Sequence, residues 1–257
     1  MLFRKFGNPE APVVVLLHGG GLSWWSLQPV IDLLAPAYCI VTPVIDGFGE
    51  DAHEPFQSIE ASAQTLLKYI RANHGGRVYA LGGLSLGAQI VVEALSMQPN
   101  AADYAVIESA LVIPIRATKA LTVPIMRMSY WLIRQRWFAR LQARELCLPE
   151  AMFERYYTDS VKLSKASMIR TILSNGTYAL KNGLAATTTK ALIIVGEKEI
   201  AIQKKPARAL CKAIANSTLY TAPAMKHGEL SLLHPKAYVD LLQALFHDSP
   251  LMQPNRR

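Results

Sequence analysis

The segment Gly83-Leu84-Ser85-Leu86-Gly87 constrains this chain more than any other. It follows the apolar run Val78-Tyr79-Ala80-Leu81. It precedes Ala88-Gln89-Ile90-Val91-Val92-Glu93-Ala94-Leu95, whose apolar residues recur at helical spacing. A serine with glycine at both second neighbours, between a strand and a helix, marks a tight, strained turn. Only small residues fit two positions to either side of it. The strain lifts the Ser85 hydroxyl clear of the sheet, where a base and a substrate can reach it. Taken alone, G-x-S-x-G also describes an ordinary glycine-rich turn; the strand before it and the helix after it favour a nucleophile.

A second motif points the same way. Val13-Val14-Val15-Leu16-Leu17 reads as a short buried strand and runs into His18-Gly19-Gly20-Gly21. Three glycines let the backbone approach a ligand closely and aim N–H groups into a site. The N–H groups near Gly20, with that of Leu86 after the serine, are the candidate donors to an oxyanion. Either motif alone is ambiguous, but both in this order argue against a ligand-free turn.

The rest of the chain alternates. Leu2–Phe6 reads as an edge strand, Trp24–Leu34 as a helix, Cys39–Thr42 as a strand and Ser58–Arg71 as a helix with Ser58 at its N-cap. Tyr104–Ile107 is a strand. After residue 185 come a strand at Ala191–Val195, a helix at Pro206–Ile214, a strand at Thr218–Thr221 and one closing helix at Leu230–Phe246. This predicts an α/β fold with a mainly parallel central sheet flanked by helices on both faces.

Residues 114–185 stand apart as an insert in a core formed by residues 1–113 and 186–257. They hold twelve of the chain's 27 basic residues and four of its 19 acidic ones, while the remainder balances at fifteen of each. The whole net charge of +8 therefore lies in the insert. There Trp131, Trp137, Phe138 and Leu141 alternate with Arg134, Arg136, Arg140 and Arg144, and Ser174-Asn175-Gly176 reads as a helix stop. Such a basic, aromatic helix can lie on an acidic membrane surface, attract an anionic substrate, or simply turn a charged face to water.

The chain resembles the α/β-hydrolase superfamily. The resemblance rests on His18-Gly19-Gly20-Gly21, Thr42-Pro43-Val44-Ile45-Asp46-Gly47-Phe48-Gly49, Gly83-Leu84-Ser85-Leu86-Gly87, Gly196-Glu197-Lys198-Glu199 after a strand, and Lys226-His227-Gly228 before the last helix. It covers nearly all of the chain except the middle. It implies that the insert is a helical cap over the site, and that nucleophile, acid and histidine follow in the chain order Ser85, Glu199, His227. Glu199 departs from the family pattern, where this position is more often Asp. Glu108, at the end of the strand Tyr104–Ile107, is the rival acid.

Serine hydroxyls need an adjacent base. His227 lies in a loop after a strand and is the best placed; His18 is read as holding the glycine loop. The expected function is a serine hydrolase of a carboxylic ester, with Gly21, Trp24 and Trp131 as possible walls of a pocket for a small acyl or aromatic group. Cleavage of a carbon–carbon bond or thioester, acyl transfer, and a non-catalytic ligand-binding role stay open on the same residues. No metal, nucleotide or flavin is implied, because no ligand cluster or phosphate loop is present. The partner expected is a small-molecule substrate and not nucleic acid, with lipid-surface contact through the basic insert as a further expectation; oligomeric state is not readable. Hydrophobic residues make up 51% and mean hydropathy is +0.18, yet no run reaches the about 18 apolar residues of a membrane span. Cys39, Cys147 and Cys211 are scattered, and the opening Met1-Leu2-Phe3-Arg4-Lys5-Phe6-Gly7 lacks a signal core. A cytoplasmic location is the expectation.

Overall fold

The computed structural model describes residues 1–250. The sequence reads Pro250–Arg257 as a polar tail, and from Leu251 on that tail lies outside the described residues. Among the described residues seven strands form one sheet: β1 (Leu2–Phe6), β2 (Val13–Leu17), β3 (Cys39–Val44), β4 (Val78–Leu84), β5 (Ala102–Glu108), β6 (Lys190–Gly196) and β7 (Ser217–Ala222). Their order is β1-β3-β2-β4-β5-β6-β7. Only β1 runs antiparallel to its neighbour; the other pairs are parallel.

Strand side chains alternate between faces, and each face is covered. Val14 and Leu16 of β2, with Val106 and Leu192, pack under α1 (Gln28–Leu34) and α10 (Pro235–Phe246). Val15 and Leu17, with Leu81, Ile107 and Ile193, pack under α2 (Ile59–His74), α3 (Leu86–Met97) and α8 (Ala201–Ala213). This two-sided burial explains why the central strands read as unbroken apolar runs. Ser58 caps α2, its hydroxyl accepting from the Ala61 N–H at 3.1 Å.

The helix expected at Trp24–Leu34 is a 3-10 turn at Trp24–Leu27 followed by α1, and there are three further departures. The closing helix is two, α9 (Glu229–Leu233) and α10, parted at His234, because Pro235 bars the preceding residue from helical backbone. Helix α8 begins five residues before Pro206 and carries it inside, forgoing one backbone bond. Ser174-Asn175-Gly176 does not stop a helix but lies within α7 (Lys165–Thr177). A Cβ on Gly176 would come 2.5 Å from the Thr118 hydroxyl, so this glycine serves helix-to-helix approach.

Between β5 and β6 run α4 (Thr118–Ser129), α5 (Arg136–Glu145), α6 (Phe153–Ser160) and α7, with a short 3-10 turn at Tyr130–Arg134. A separate apolar cluster ties them to the core: Ala139, Ala143, Phe153 and Tyr156 pack with Leu22, Trp25, Leu84 and Leu232. Gln89, fully buried on α3, donates through its amide to the carbonyls of Leu111 and Asn175, at the two ends of this excursion. Farther along, the Tyr178 hydroxyl donates to Glu93 of α3 at 2.8 Å.

Candidate active site

β4 carries the chain to the C-terminal edge of the sheet, and α3 starts at once after Ser85. Ser85 has φ 52° and ψ −109°, a conformation worth roughly 1–3 kcal/mol of strain for a residue with a Cβ. Its N–H donates to the Glu108 carbonyl at 2.8 Å, and its own carbonyl accepts from Gln89 at 3.0 Å. The flanking glycines are demanded by backbone contact. A Cβ on Gly83 would meet Gly87 carbon at 2.4 Å, and one on Gly87 would meet the Leu17 and His18 carbonyl oxygens at 2.6 Å.

β6 ends at Gly196, and three residues later Glu199 turns back under it. One oxygen of Glu199 accepts from the Ser109 hydroxyl at 2.6 Å and the Gly196 N–H at 2.7 Å. The other lies 3.0 Å from Nδ1 of His227. Burial alone would push this carboxyl up, but the hydrogen bonds from His227, Ser109 and Gly196 outweigh it and hold it below its ordinary value. An ionised Glu199 accepts a hydrogen bond from the Nδ1–H, which keeps the proton there and leaves Nε2 as the free basic nitrogen. The Gln203 amide lies 3.1 Å from the same Nδ1. The amide NH2 only donates, so it bonds Nδ1 only in the tautomer that carries its proton on Nε2, and the carboxylate favours the other.

Ser85 and His227 line a common pocket of about 30 Å³ with Gly19, Gly20, Leu84 and Gly228. That is room for about one or two waters. Among the described residues the Ser85 hydroxyl has no hydrogen-bond partner, a loose arrangement common in sites without substrate. Gly20 borders this pocket, and Leu86 is the first residue of α3, so its N–H has no partner within the helix. His18 is wholly buried; its Nδ1 faces the Gly19 carbonyl at 2.9 Å and its Nε2 accepts from the Ile45 N–H at 3.1 Å. Burial drives its pKa down to about 4. It is a neutral strut for the glycine loop.

The rival acid, Glu108, does not touch His227. One of its oxygens accepts from the Ser231 N–H at 3.4 Å and the other has no partner. Burial pushes its pKa up to about 7.

Above Ser85 opens a cavity of about 670 Å³ bounded by Gly20, Gly21 and Phe48 of the core and by residues of all four inserted helices. Its walls are mostly apolar; they include Glu145 and Asp159, the latter bonded to the Trp25 indole N–H and to Lys162, and no lysine or arginine lines them. Gly21 lies on the wall as expected, while Trp24 and Trp131 do not. The Trp24 indole N–H donates to Glu50 at 3.1 Å, and its ring lies 4.8 Å from the Arg155 guanidinium. Trp131 faces outward. Ser109 and Gln203 escape a reading of the sequence, since nothing in their own neighbourhoods marks them. The signal for Ser109 is only that it follows Glu108 at the same sheet edge as Glu199. Among the described residues no group of three or more His, Cys, Asp or Glu side chains is placed to hold a metal ion, and no helix is long and apolar enough to cross a membrane.

The chain matches the alpha/beta hydrolase family over residues 14–241 and belongs to it. It is 33% identical over 75 residues to a pimeloyl-[acyl-carrier protein] methyl ester esterase of Vibrio vulnificus, a match spanning 29% of each protein. In fold it is similar to a bromoperoxidase of Bacillus anthracis (TM-score 0.81, 16% identity, 96% of this chain and 95% of that one). It is also similar to an esterase of Exiguobacterium antarcticum (TM-score 0.79, 17% identity, 95% and 94%).

Proposed function

We propose that the protein hydrolyses carboxylic esters with a small to medium, uncharged acyl or aromatic group, through Ser85, His227 and Glu199. The observation that carries this reading is the hydrogen-bonded Glu199–His227 pair that opens, beside Ser85, onto one small pocket under an apolar cavity. Ser85 Oγ attacks the ester carbonyl carbon as Nε2 of His227 takes the hydroxyl proton. The N–H groups of Leu86 and of the loop at Gly20 hold the oxyanion, each good donor contributing roughly 3–4 kcal/mol. The tetrahedral adduct collapses, the C–O bond breaks, and His227 returns the proton to the leaving alcohol. A water, for which the 30 Å³ pocket has room, then loses its proton to His227 and attacks the acyl-enzyme. The acid leaves and Ser85 regains its proton.

The cavity wall favours neutral over anionic acyl chains, since it offers carboxylates and no cation. Its volume of about 670 Å³ is in the usual range for small-molecule sites. The name of the Vibrio relative, a methyl ester esterase, agrees with an ester substrate.

A fluorophosphonate should label Ser85, and turnover of p-nitrophenyl butyrate should fall at least about 10⁴-fold in Ser85→Ala. Labelling that maps elsewhere, or turnover that survives the substitution, refutes the proposal.

A further inference from the structure

The insert leaves an unusual surface uncovered. On α4, Leu121, Ile125 and Met128 follow i, i+4, i+7 spacing and so form one stripe; Met128 is 79% exposed and the other two about half. The stripe runs into the 3-10 turn, where Trp131 is 58% exposed, and on α5 Trp137 is 59% exposed with Leu141 one turn beyond. Half of the large exposed apolar side chains among the described residues lie in these helices and α7. Exposed apolar patches of this kind mark interaction sites.

The charge on this surface is of two kinds. Arg136 pairs with Glu154 and lies 4.9 Å from the Tyr157 ring; Arg140 pairs with Glu150 and lies 4.5 Å from the Phe153 ring. These two brace α5 against α6. Arg116, Lys119, Arg127, Arg134 and Arg144 form no ion pair among the described residues and are all exposed. Of these, Arg127 adjoins Met128, Arg134 lies in the turn with Trp131, and Arg144 shares the Trp137–Leu141 side of α5 by i, i+4, i+7 spacing, along a surface with two half-exposed indoles. The surface is also continuous with the cavity: Leu141 and Ile172 are exposed and line the cavity wall as well.

We propose that the outer face of α4, the Tyr130–Arg134 turn and α5 docks on an anionic lipid surface. Trp131 and Trp137 enter the headgroup layer while Arg127, Arg134 and Arg144 meet the lipid phosphates. Indoles favour that layer because one edge is apolar and the N–H is polar. Arginine stems lie along apolar surface while their heads reach the charge. Docked this way, the exposed rim formed by Leu141 and Ile172 faces the acyl chains, so apolar molecules dissolved there reach the cavity without crossing water. The docking stands apart from the ester-hydrolase reading, because it is measured as binding.

The test is co-sedimentation of the full chain with vesicles of phosphatidylserine and phosphatidylcholine, and with phosphatidylcholine alone, at low and physiological salt. Binding is expected to the anionic vesicles only, weakened by salt, with a blue shift of tryptophan emission. Each basic residue at such a surface is worth roughly five-fold in affinity, so Arg127→Gln/Arg134→Gln/Arg144→Gln should lose on the order of 100-fold. Trp131→Ser/Trp137→Ser should lose roughly ten-fold or more. Neither set lines the cavity or touches Ser85, and p-nitrophenyl butyrate turnover in solution should stay unchanged in both, which also reports that they fold. Equal binding to neutral vesicles, no binding to either kind, or binding that both variants retain overturns the proposal. So does a dimer in lipid-free buffer that the same substitutions dissolve, which would assign the face to a second copy of the chain.

Discussion

Replacing Glu108 with Gln should stabilise the protein, and by an amount that depends on pH. Glu108 ends β5 with both oxygens buried, and only one of them has a partner, the Ser231 N–H at 3.4 Å. Around it stand His227, whose positive form would favour the carboxylate, Glu199, which opposes it, and the buried Tyr238. Burial dominates and lifts the carboxyl from its ordinary 4.5 up to about 7. A group with a raised pKa in the folded state holds its proton there more tightly than in the unfolded chain. Its contribution to stability is complete below 4.5 and is lost as pH rises to about 7. A tenfold change in proton affinity is about 1.4 kcal/mol, so the loss is on the order of 3 kcal/mol. Gln is shaped like the protonated acid and carries no such loss. Urea unfolding of both proteins between pH 4.5 and 8.5 isolates the effect, because groups that titrate alike in each cancel in the difference. Near the acid end the two should be almost equally stable. By the alkaline end Glu108→Gln should be ahead by roughly 3 kcal/mol, levelling off above about pH 7. A difference that stays flat across this range would refute the reasoning, and one that grows in favour of the native residue would reverse it.

Two further outcomes follow from the same geometry. Glu199→Gln keeps the shape of the acid but removes the charge that fixes the His227 proton on Nδ1, so ester turnover should fall about 10³–10⁴-fold, with Tm lowered because the folded state also loses the carboxylate whose pKa it depresses; a loss of under tenfold would point to another acid. Gly87→Ala drives a methyl against the Leu17 and His18 carbonyls and should cost about 3 kcal/mol or more in thermal unfolding, and a variant as stable as the native chain would show that the turn tolerates a side chain.

The sheet was legible because its strands are buried on both faces. Val13–Leu17 and Ala191–Val195 are continuous apolar runs, and the elements between them carry helical spacing or turn residues. Where a boundary departs from the sequence pattern, tertiary contacts outweigh local preference at Gly176. Gly176 reads as a stop because a glycine's local preference is visible in sequence, whereas the Thr118 side chain it makes room for is 58 residues away. Pro235 did carry its own signal, and the break at His234 follows from it. At the candidate site, Ser85, Glu199 and His227 are each marked by a motif or by a strand end. Their partners are not. Ser109 reaches Glu199 only because β5 and β6 are neighbours, and strand order is a property of the folded sheet. The inserted helices were least legible. Their apolar residues face two ways, some lining the cavity and others, such as Trp131, facing out, and periodicity alone does not say which side is inward.

Gln89 fastens both roots of the inserted helices to α3. It sits one turn into α3, the helix that begins directly after Ser85, and it holds both Leu111, where the chain leaves the sheet, and Asn175, where the inserted helices come home. Tyr178 adds a second fastening to the same helix through Glu93. A hinge at the roots of the insert would have to break this buried clamp. The start of α4 is held to the end of α7, because the Ile115 N–H donates to the Gly176 carbonyl at 2.8 Å and Thr118 packs on Gly176. Any movement of the insert that admits a ligand would then fall to α5 and α6, the helices this clamp does not reach.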